Sequence, residues 1–266
     1  MNSKRPTILQ KIAEGVRANL EVRKKAASYA DLEKRLASCR LPHDFADAFS
    51  GPEVHAIAEI KFASPSEGAI AKIQDPVAVA SSYLSRGAAA LSILTEENHF
   101  HGKPEYLSAV RSRFPLANLL MKDFMLEEYQ ILEGRLLGAD AILLIVALLG
   151  EEDTRRLLAF SKTLGLTALV EVHDEEEFEI ARSVGATLIG VNNRDLKTLD
   201  ISLDTSYRLA QLAPAGAKLI SESGIRTGAE IRDLRKAGYH GFLVGTTLMK
   251  SSDPGEALAR LLEGAR

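Results

Sequence analysis

The sequence predicts a (β/α)8 TIM barrel, an α/β fold, preceded by a helical extension at the N-terminus. Eight short apolar runs recur along the chain, separated from one another by about the length of one strand and one helix. Amphipathic stretches with helical spacing fill the intervals between them. Near-continuous apolar strands are typical of a parallel sheet buried on both faces. Eight strand–helix units are the number that closes a parallel barrel.

The first fifty residues carry a different pattern from the rest of the chain. Ile8, Ile12, Val16 and Leu20 have helical spacing and lie among Lys, Arg and Glu side chains. This pattern predicts one or two amphipathic helices. We expect residues 1–50 to form an extension packed on the barrel. We expect residues 1–266 to form a single domain, because no linker or low-complexity segment divides them.

The predicted strands begin after this extension. They occupy residues 56–61, 90–95, 119–122, 141–146, 167–172, 187–192, 218–222 and 241–245. Many of the intervening helices lead into a glycine turn, as at Gly138 and Gly185, which suits a short connection from helix to strand. A doubly wound open sheet often has a Gly-rich dinucleotide turn after its first strand. The sequence FASPS at residues 62–66 has no such pattern, which favours the barrel.

Composition and charge exclude several classes of function. The chain has 33 Lys and Arg residues against 36 Asp and Glu residues, a net charge of −3. This balance gives no reason to expect nucleic-acid binding, which usually shows as a basic excess. The most apolar run, residues 139–149, is about half the length that a membrane span requires. With one cysteine, Cys39, and no apolar signal segment, we expect a cytoplasmic protein that does not bind membranes.

Polar residues stand at the carboxyl ends of five predicted strands. In a barrel these ends meet at one mouth, where catalysis takes place. Glu59 and Lys61 lie two positions apart and therefore share one face of their strand. A structural ion-pair network is the alternative interpretation, although five contributing strands exceed what packing requires. The polar residues in question are Glu59, Lys61, Lys122, Glu171, Asn192, Arg194 and Glu222.

Two glycine-containing turns predict a phosphate site. Ser223 and Gly224 follow the seventh run, and Gly245 and Thr246 follow the eighth. The loops after strands seven and eight are where barrels commonly bind phosphate. Glycine lets the backbone approach closely, and N–H groups at the start of a short helix suit an anion.

The histidines give a weaker signal. His99, His101 and His173 lie near strand ends, but residues of this kind are usually exposed or hydrogen-bonded in loops. No His, Asp or Glu spacing predicts a metal site. Ser64 has no His and Asp partners in a triad pattern, and Cys39 lies outside the barrel units, so neither is expected to act as a nucleophile.

The chain resembles the indole-3-glycerol phosphate synthase family over nearly its whole length. The matching segments occur in the family's order and include the strand ends just described. They are residues 57–66, 94–102, 122–131, 138–145, 169–173, 190–196 and 221–225.

The resemblance implies a carboxy-lyase of tryptophan biosynthesis that needs no cofactor. Such an enzyme closes the ring of 1-(2-carboxyphenylamino)-1-deoxyribulose 5-phosphate and releases carbon dioxide and water. Its partner is this small phosphorylated molecule. Association with other enzymes of the tryptophan pathway is left open.

The resemblance also implies a role for each site residue. Lys122 would be the general acid and Glu171 the base of the dehydration. Lys61 would neutralise negative charge, while Glu59 and Asn192 would position groups and assist proton transfer. The residues expected to bind substrate or phosphate are Ser64, Pro65, Phe100, Arg194, Glu222, Ser223, Gly224, Gly245 and Thr246. We expect neighbouring cations to lower the pKa of Lys122 and so favour proton release.

The sequence departs mildly from the family at three positions. Thr246 stands where Ser is frequent, His99 where an aromatic residue is frequent, and Lys103 where Ser is usual. A phosphoribosylanthranilate isomerase is an alternative, but such enzymes use a Cys/Asp or Asp/Asp pair, and the one cysteine lies outside the barrel. A catalytically inactive scaffold is a second alternative. It is opposed by the presence together of Lys61, Lys122, Glu171 and Asn192.

Overall fold

A computed structural model describes residues 8–65, 67–70 and 75–266 of the chain. Eight parallel strands close into a barrel. They are β1 (His55–Ile60), β2 (Ala90–Leu94), β3 (Leu119–Lys122), β4 (Ala141–Ile145), β5 (Thr167–Val172), β6 (Leu188–Asn192), β7 (Lys218–Glu222) and β8 (Gly241–Val244).

The pairing of the strands closes the barrel in sequence order. Each strand pairs with its neighbours along the chain, and β1 also pairs with β8, where Ala58 lies opposite Val244. The predicted barrel is therefore confirmed, and each strand boundary lies within one residue of its prediction. A small antiparallel pair, Ala63–Ser64 with Gly68–Ala69, follows β1 and was not predicted.

Helices of the described residues surround the strands. The extension contains α1 (Ile8–Ala26) and α2 (Tyr29–Arg35). The later helices are α3 (Pro76–Ser85), α4 (Pro104–Arg113), α5 (Glu128–Leu137), α6 (Val146–Thr163), α7 (Glu175–Ser183), α8 (Asp204–Ala210), α9 (Gly228–Lys236), α10 (Thr246–Met249) and α11 (Pro254–Glu263). Gly138 ends α5 with a φ of 95°, the left-handed conformation that the predicted turn requires. Among these helices none is long and apolar enough to cross a membrane.

The extension packs against the side of the barrel through α5. Leu20 and Leu32 join Tyr129 and Leu132 in one buried apolar cluster. The Tyr129 hydroxyl donates to the backbone carbonyl of Ala27 at 2.8 Å. These contacts fix the direction of α1. Residues 1–7 lie outside the described part of the chain.

A short 3-10 helix, Phe45–Phe49, lies across the floor of the barrel. Its two phenylalanines are buried among the apolar side chains of the barrel interior. Lys218 at the start of β7 donates to the carbonyl of Ala46 at 2.7 Å. The floor is therefore sealed, and the opposite end, where the strands end, is left to form a site.

Candidate active site

The barrel interior changes from apolar to polar within two residues along four strands. Residues two apart share one face of a strand, so the polar side chains point inward directly above the apolar ones. The pairs are Ile57 and Glu59, Leu120 and Lys122, Leu169 and Glu171, and Ile220 and Glu222. With Lys61, these four polar residues form what we term the acid–base cluster. They line one cavity, together with Asn192 and Arg194.

Lys122 lies among carboxylates. Its Nζ is 3.0 Å from Glu171 Oε2 and 3.4 Å from Glu222 Oε2. Burial by itself lowers the pKa of Lys122, but the neighbouring carboxylates outweigh burial and raise the pKa above the ordinary lysine value. The expectation that cations would lower this pKa is therefore wrong, because the charges that the strands place around Lys122 are negative.

Glu171 is held as a carboxylate. Burial by itself raises the pKa of Glu171, but Lys122 and His173 outweigh burial and hold the pKa well below its usual range. The side chain of Glu171 is only 3% exposed. An ionised carboxylate in such a place has the protonation state that a base needs.

Glu222 has the opposite character. Burial raises the pKa of Glu222, and the nearby carboxylates of Glu171 and Glu59 raise it further. The pKa reaches about 8 despite the opposing effect of the Lys122 cation. Glu222 therefore retains its proton near neutral pH. Glu222 was predicted among the residues that bind substrate or phosphate, and the structure places its carboxyl group in the acid–base cluster beside Lys122.

Two inward-facing glycines make room for the carboxyl groups. A Cβ on Gly190 of β6 would overlap Glu222 Oε1, and a Cβ on Gly245 would lie 2.5 Å from Glu59 Oε1. The freed space lets Glu59 form an ion pair with Lys61, 2.7 Å away. The Gly245 position was predicted for its phosphate loop, whereas Gly190 was not singled out.

The predicted phosphate residues come together in a second pocket that shares Glu59, Lys61 and Arg194 with the first. Ser223, Gly224, Gly245 and Thr246 line it. Ser223 has a φ of 66°, which is uncommon outside glycine and marks a constrained turn. Helix α10 begins at Thr246, and the first N–H groups of a helix have no partners within it. Backbone donors and two cationic side chains thus converge as an anion site requires.

The phosphate pocket also contains Lys250, which was not predicted from the sequence. Lys250 forms an ion pair with Glu67 at 2.5 Å across its edge, and Thr247 lines its wall. The cation of Lys250 helps to hold the pKa of Glu67 below its ordinary value. The one feature of the sequence that could have pointed to Lys250 is its spacing: it lies four residues, about one helical turn, after Thr246.

Part of the wall of the acid–base cavity is apolar. Ser64, Pro65 and Phe100, which the resemblance implies bind substrate, line this cavity, and the Phe100 ring lies 5.9 Å from the Phe124 ring. Helix α1 contributes a wall that sequence analysis did not assign to the site. Its residues in the cavity are Ile8, Leu9 and Ile12.

Glu96 fixes the loop that carries Phe100. Its carboxylate accepts hydrogen bonds from the backbone N–H groups of His99 at 2.7 Å and Phe100 at 3.0 Å. The His99 ring lies 3.3 Å from the same carboxylate and does not reach the cavity wall. A carboxylate three to four residues before an aromatic residue is a weak signal, so the sequence did not reveal this role.

His173 is more deeply placed than a loop histidine usually is. Its ring is in ion-pair contact with the Glu171 carboxylate, and its side chain is only 10% exposed. Cys39 lies in the extension, partly exposed. In the described part of the chain no group of His, Cys, Asp and Glu residues is arranged to hold a metal ion.

The chain is similar in sequence to indole-3-glycerol phosphate synthases. A family model described as indole-3-glycerol phosphate synthase matches residues 9–261. The indole-3-glycerol phosphate synthase of Carboxydothermus hydrogenoformans is 45% identical over 96% of this chain and 99% of its own length. That of Mycolicibacterium gilvum is 44% identical over 96% of this chain and 94% of its own.

Solved structures with distant sequences share the fold. The 3-hexulose-6-phosphate synthase of Salmonella typhimurium has a TM-score of 0.64 at 12% identity, covering 80% of this chain and 98% of its own. A thiamine phosphate pyrophosphorylase of Pyrococcus furiosus has a TM-score of 0.59 at 17% identity, covering 80% of this chain and 95% of its own. At these identities the likeness concerns the barrel alone.

Proposed function

Because the chain belongs to the indole-3-glycerol phosphate synthase family, we propose that its acid–base cluster closes the indole ring of 1-(2-carboxyphenylamino)-1-deoxyribulose 5-phosphate. The enzyme is a decarboxylating lyase of tryptophan biosynthesis. The observation that carries the proposed roles is the contact of Lys122 Nζ with Glu171 Oε2 at 3.0 Å. This contact sets a proton donor beside a carboxylate base inside one cavity.

We expect the two ends of the substrate to bind to different parts of the site. Its phosphate would bind the backbone N–H groups near Gly224 and Thr246 and the side chain of Arg194. Its anthranilate ring would occupy the apolar part of the cavity, against Pro65 and Phe100. Asn192, whose Oδ1 accepts a hydrogen bond from the Arg194 N–H at 3.0 Å, would keep the phosphate side of the cavity in place. Fixing both ends of a flexible chain makes ring closure a well-oriented step.

The proposed reaction begins with carbon–carbon bond formation. The ring carbon that bears the carboxylate attacks the ketone carbon, and Lys122 donates a proton to the ketone oxygen. The bond to the carboxylate then breaks, carbon dioxide leaves, and the electron pair restores the aromatic ring. Lys61, paired with Glu59, would balance the substrate's negative charge in this step.

Dehydration completes the indole. Glu171 removes a proton from the methylene carbon next to nitrogen, and the new hydroxyl leaves as water after receiving a proton. Glu222, which retains its proton near neutral pH, adds a second donor to the cluster. Acid and base therefore come from different strands, with environments that separate their pKa values.

The remaining expectations concern the setting of the enzyme. A cytoplasmic location fits a chain with a single cysteine, and association with other enzymes of the tryptophan pathway stays a prediction. The isomerase alternative lacks support at the site. Asp123, which follows β3, is buried and accepts a hydrogen bond from the Thr95 hydroxyl at 2.5 Å. Among the described residues, no second Asp and no Cys lines the cavity that contains Asp123.

The proposal is tested by supplying the substrate to the purified protein. We expect time-dependent appearance of indole fluorescence together with release of carbon dioxide in equal amount. A sample without protein and a sample with Lys122→Ala are the controls. Absence of the indole product from the wild-type protein at saturating substrate would contradict the proposed function.

A further inference from the structure

His173 forms a bridge between the base of the site and a second carboxylate. It directly follows β5, and its Nε2 lies 3.3 Å from Glu171 Oε1. Its Nδ1 lies 2.9 Å from Glu177 Oε2 on α7. The His173 backbone N–H also donates to Glu177 Oε2 at 2.8 Å, which fixes the direction of the ring. The proposed reaction uses neither His173 nor Glu177.

This bridge connects two cavities. Glu171 and Lys122 line the cavity of the acid–base cluster, whereas His173 and Glu177 line a neighbouring groove of about 1170 Å³. We term this neighbour the outer groove. Its other walls come from α1 and the loop after β6, and Arg17 and Arg208 contribute to them. The His173 ring therefore stands between the base of the site and the water of the outer groove.

The reaction requires a proton from outside the site. The ketone oxygen receives one proton when the ring closes and a second when it leaves as water. The methylene carbon gives up one proton. Since the substrate carboxylate leaves as neutral carbon dioxide, each turnover takes up one proton from solvent, and a path into the cavity is needed.

We propose that His173 and Glu177 carry protons between the outer groove and Glu171, from which Lys122 is recharged. The Nε2 proton of the His173 imidazolium moves to Glu171, which passes a proton on to Lys122 across their 3.0 Å contact. The neutral ring is left with its proton on Nδ1, and exchange with water of the outer groove moves that proton to Nε2. Glu177, protonated by water, then donates a proton to the free Nδ1 and restores the imidazolium. This inference rests on the proposed function, because it is the indole-forming reaction that consumes the proton.

The electrostatics of the site give the transfer its timing. Burial by itself lowers the pKa of His173, but Glu171 and Glu177 outweigh burial and raise the pKa to about 10, so the ring carries a proton at neutral pH. The cation of Lys122 lowers the pKa of Glu171. Once Lys122 has given its proton to the substrate, that effect disappears and Glu171 accepts a proton more readily.

Few other charged groups act on the His173 ring. Asp174 is adjacent in sequence, but its carboxylate caps α7 by accepting from the Glu177 N–H at 2.9 Å. The pKa of Asp195, after β6, is lowered mainly because its carboxylate accepts hydrogen bonds from the backbone N–H groups of Thr198 and Lys197, and His173 contributes least to this shift. The two carboxylates in contact with the ring are therefore Glu171 and Glu177.

The test measures single-turnover indole formation by fluorescence at low buffer concentration. For His173→Ala we expect the rate constant to fall about tenfold or more. This is less than the roughly 10²- to 10⁴-fold loss for a general acid or base that touches the substrate, because His173 acts through Glu171. Added imidazole should restore much of the rate, since it supplies the missing carrier. His173→Gln keeps a donor toward Glu171 but cannot pass a proton, so it should stay slow.

Variants on α7 complete the experiment. Glu177→Gln should slow the reaction at low buffer concentration and recover at high concentration. Glu179→Gln is the matched control, because Glu179 lies on the same helix and pairs with Arg182 at the surface. It should behave as the wild type does.

Two results would overturn the inference while leaving the proposed function intact. One is a wild-type rate constant in both His173 variants and in Glu177→Gln. The other is a wild-type rate constant in His173→Gln that does not depend on buffer concentration, which would make His173 a positioning residue only. Failure of the proposed function is distinct, since the wild-type protein itself would then form no indole product.

Discussion

Lys122 shows what a residue's own sequence position can and cannot reveal. Its place at the end of a strand and its spacing from Leu120 predict a side chain that points into the barrel mouth. Its charge environment depends on β5 and β7, which the closure of the sheet brings across the barrel from β3. No local pattern indicates which charges meet there. The sequence therefore predicted the position of Lys122 but gave the wrong direction for its pKa.

Replacing this lysine should separate catalysis from binding. In Lys122→Ala we expect turnover to fall about 10²- to 10⁴-fold, because the variant has lost its proton donor. The dissociation constant of the product should change little, since phosphate and ring are held by other residues. Turnover is measured by indole fluorescence and binding by equilibrium titration, with Lys162→Ala on the exposed end of α6 as control. Near-wild-type turnover in Lys122→Ala would refute its assignment as the acid.

At the scale of elements, the strands direct the polar side chains inward and also leave space for them beside glycines. Gly190 and Gly245 face inward where Glu222 and Glu59 need space, so the carboxyl groups and the glycines form matched pairs across neighbouring strands. Gly190 lies one strand away from Glu222, and only the register of β6 against β7 reveals the match. The sequence does not indicate this match, because a glycine within a strand by itself has several explanations.

The match between Gly190 and Glu222 can be measured as a coupling energy. Gly190→Ala should destabilise the protein by about 1–3 kcal/mol through overpacking and should lower turnover by displacing the Glu222 carboxyl group. In a Glu222→Ala background the same change should cost much less, because the space is then free. Urea unfolding of the two single variants and the double variant gives the interaction energy, expected to be about 1 kcal/mol or more. Additive effects would show that the strain at Gly190 comes from elsewhere.

The connection of the extension to the barrel also belongs to the scale of elements. Asp140, at the start of β4 and fully buried, accepts hydrogen bonds from Arg40 and from the His43 backbone N–H, both at 2.8 Å. It also pairs with Arg111 of α4. One carboxylate thus joins the extension to two parts of the barrel. The sequence predicts that the extension packs on the barrel, but Asp140 looks like any turn residue before a strand.

For the whole molecule, the repeat of buried runs was the most informative feature. Each strand of a closed parallel barrel must be apolar where helices cover it, so the runs mark the strands to within a residue. The same regularity places the polar strand ends at one mouth, which explains why the predicted site residues lie together. The wall from α1 and the path through His173 depend on contacts between distant segments. Sequence periodicity contains no information about those contacts.

The arrangement of charges in the barrel should make its free energy of unfolding depend on pH. The pKa values of His173 and Glu222 are raised to about 10 and about 8, so both groups bind protons more tightly in the folded state. The contribution of His173 is complete below its unfolded value of about 6.5 and is lost as pH rises through 10. That of Glu222 is lost as pH rises through 8. We therefore expect the free energy of unfolding to decrease between pH 7 and 10.

The His173→Gln variant isolates one part of this dependence. Without the imidazole, the decrease between pH 7 and 10 should become shallower, by at most about 1.4 kcal/mol per pH unit, the slope of one proton. Urea unfolding of wild type and variant at several pH values measures both slopes, and comparing slopes removes any constant difference in stability. Equal slopes would mean that folding does not change the proton affinity of His173. The charge of the Glu171–His173–Glu177 bridge would then have to reside on the carboxylates alone.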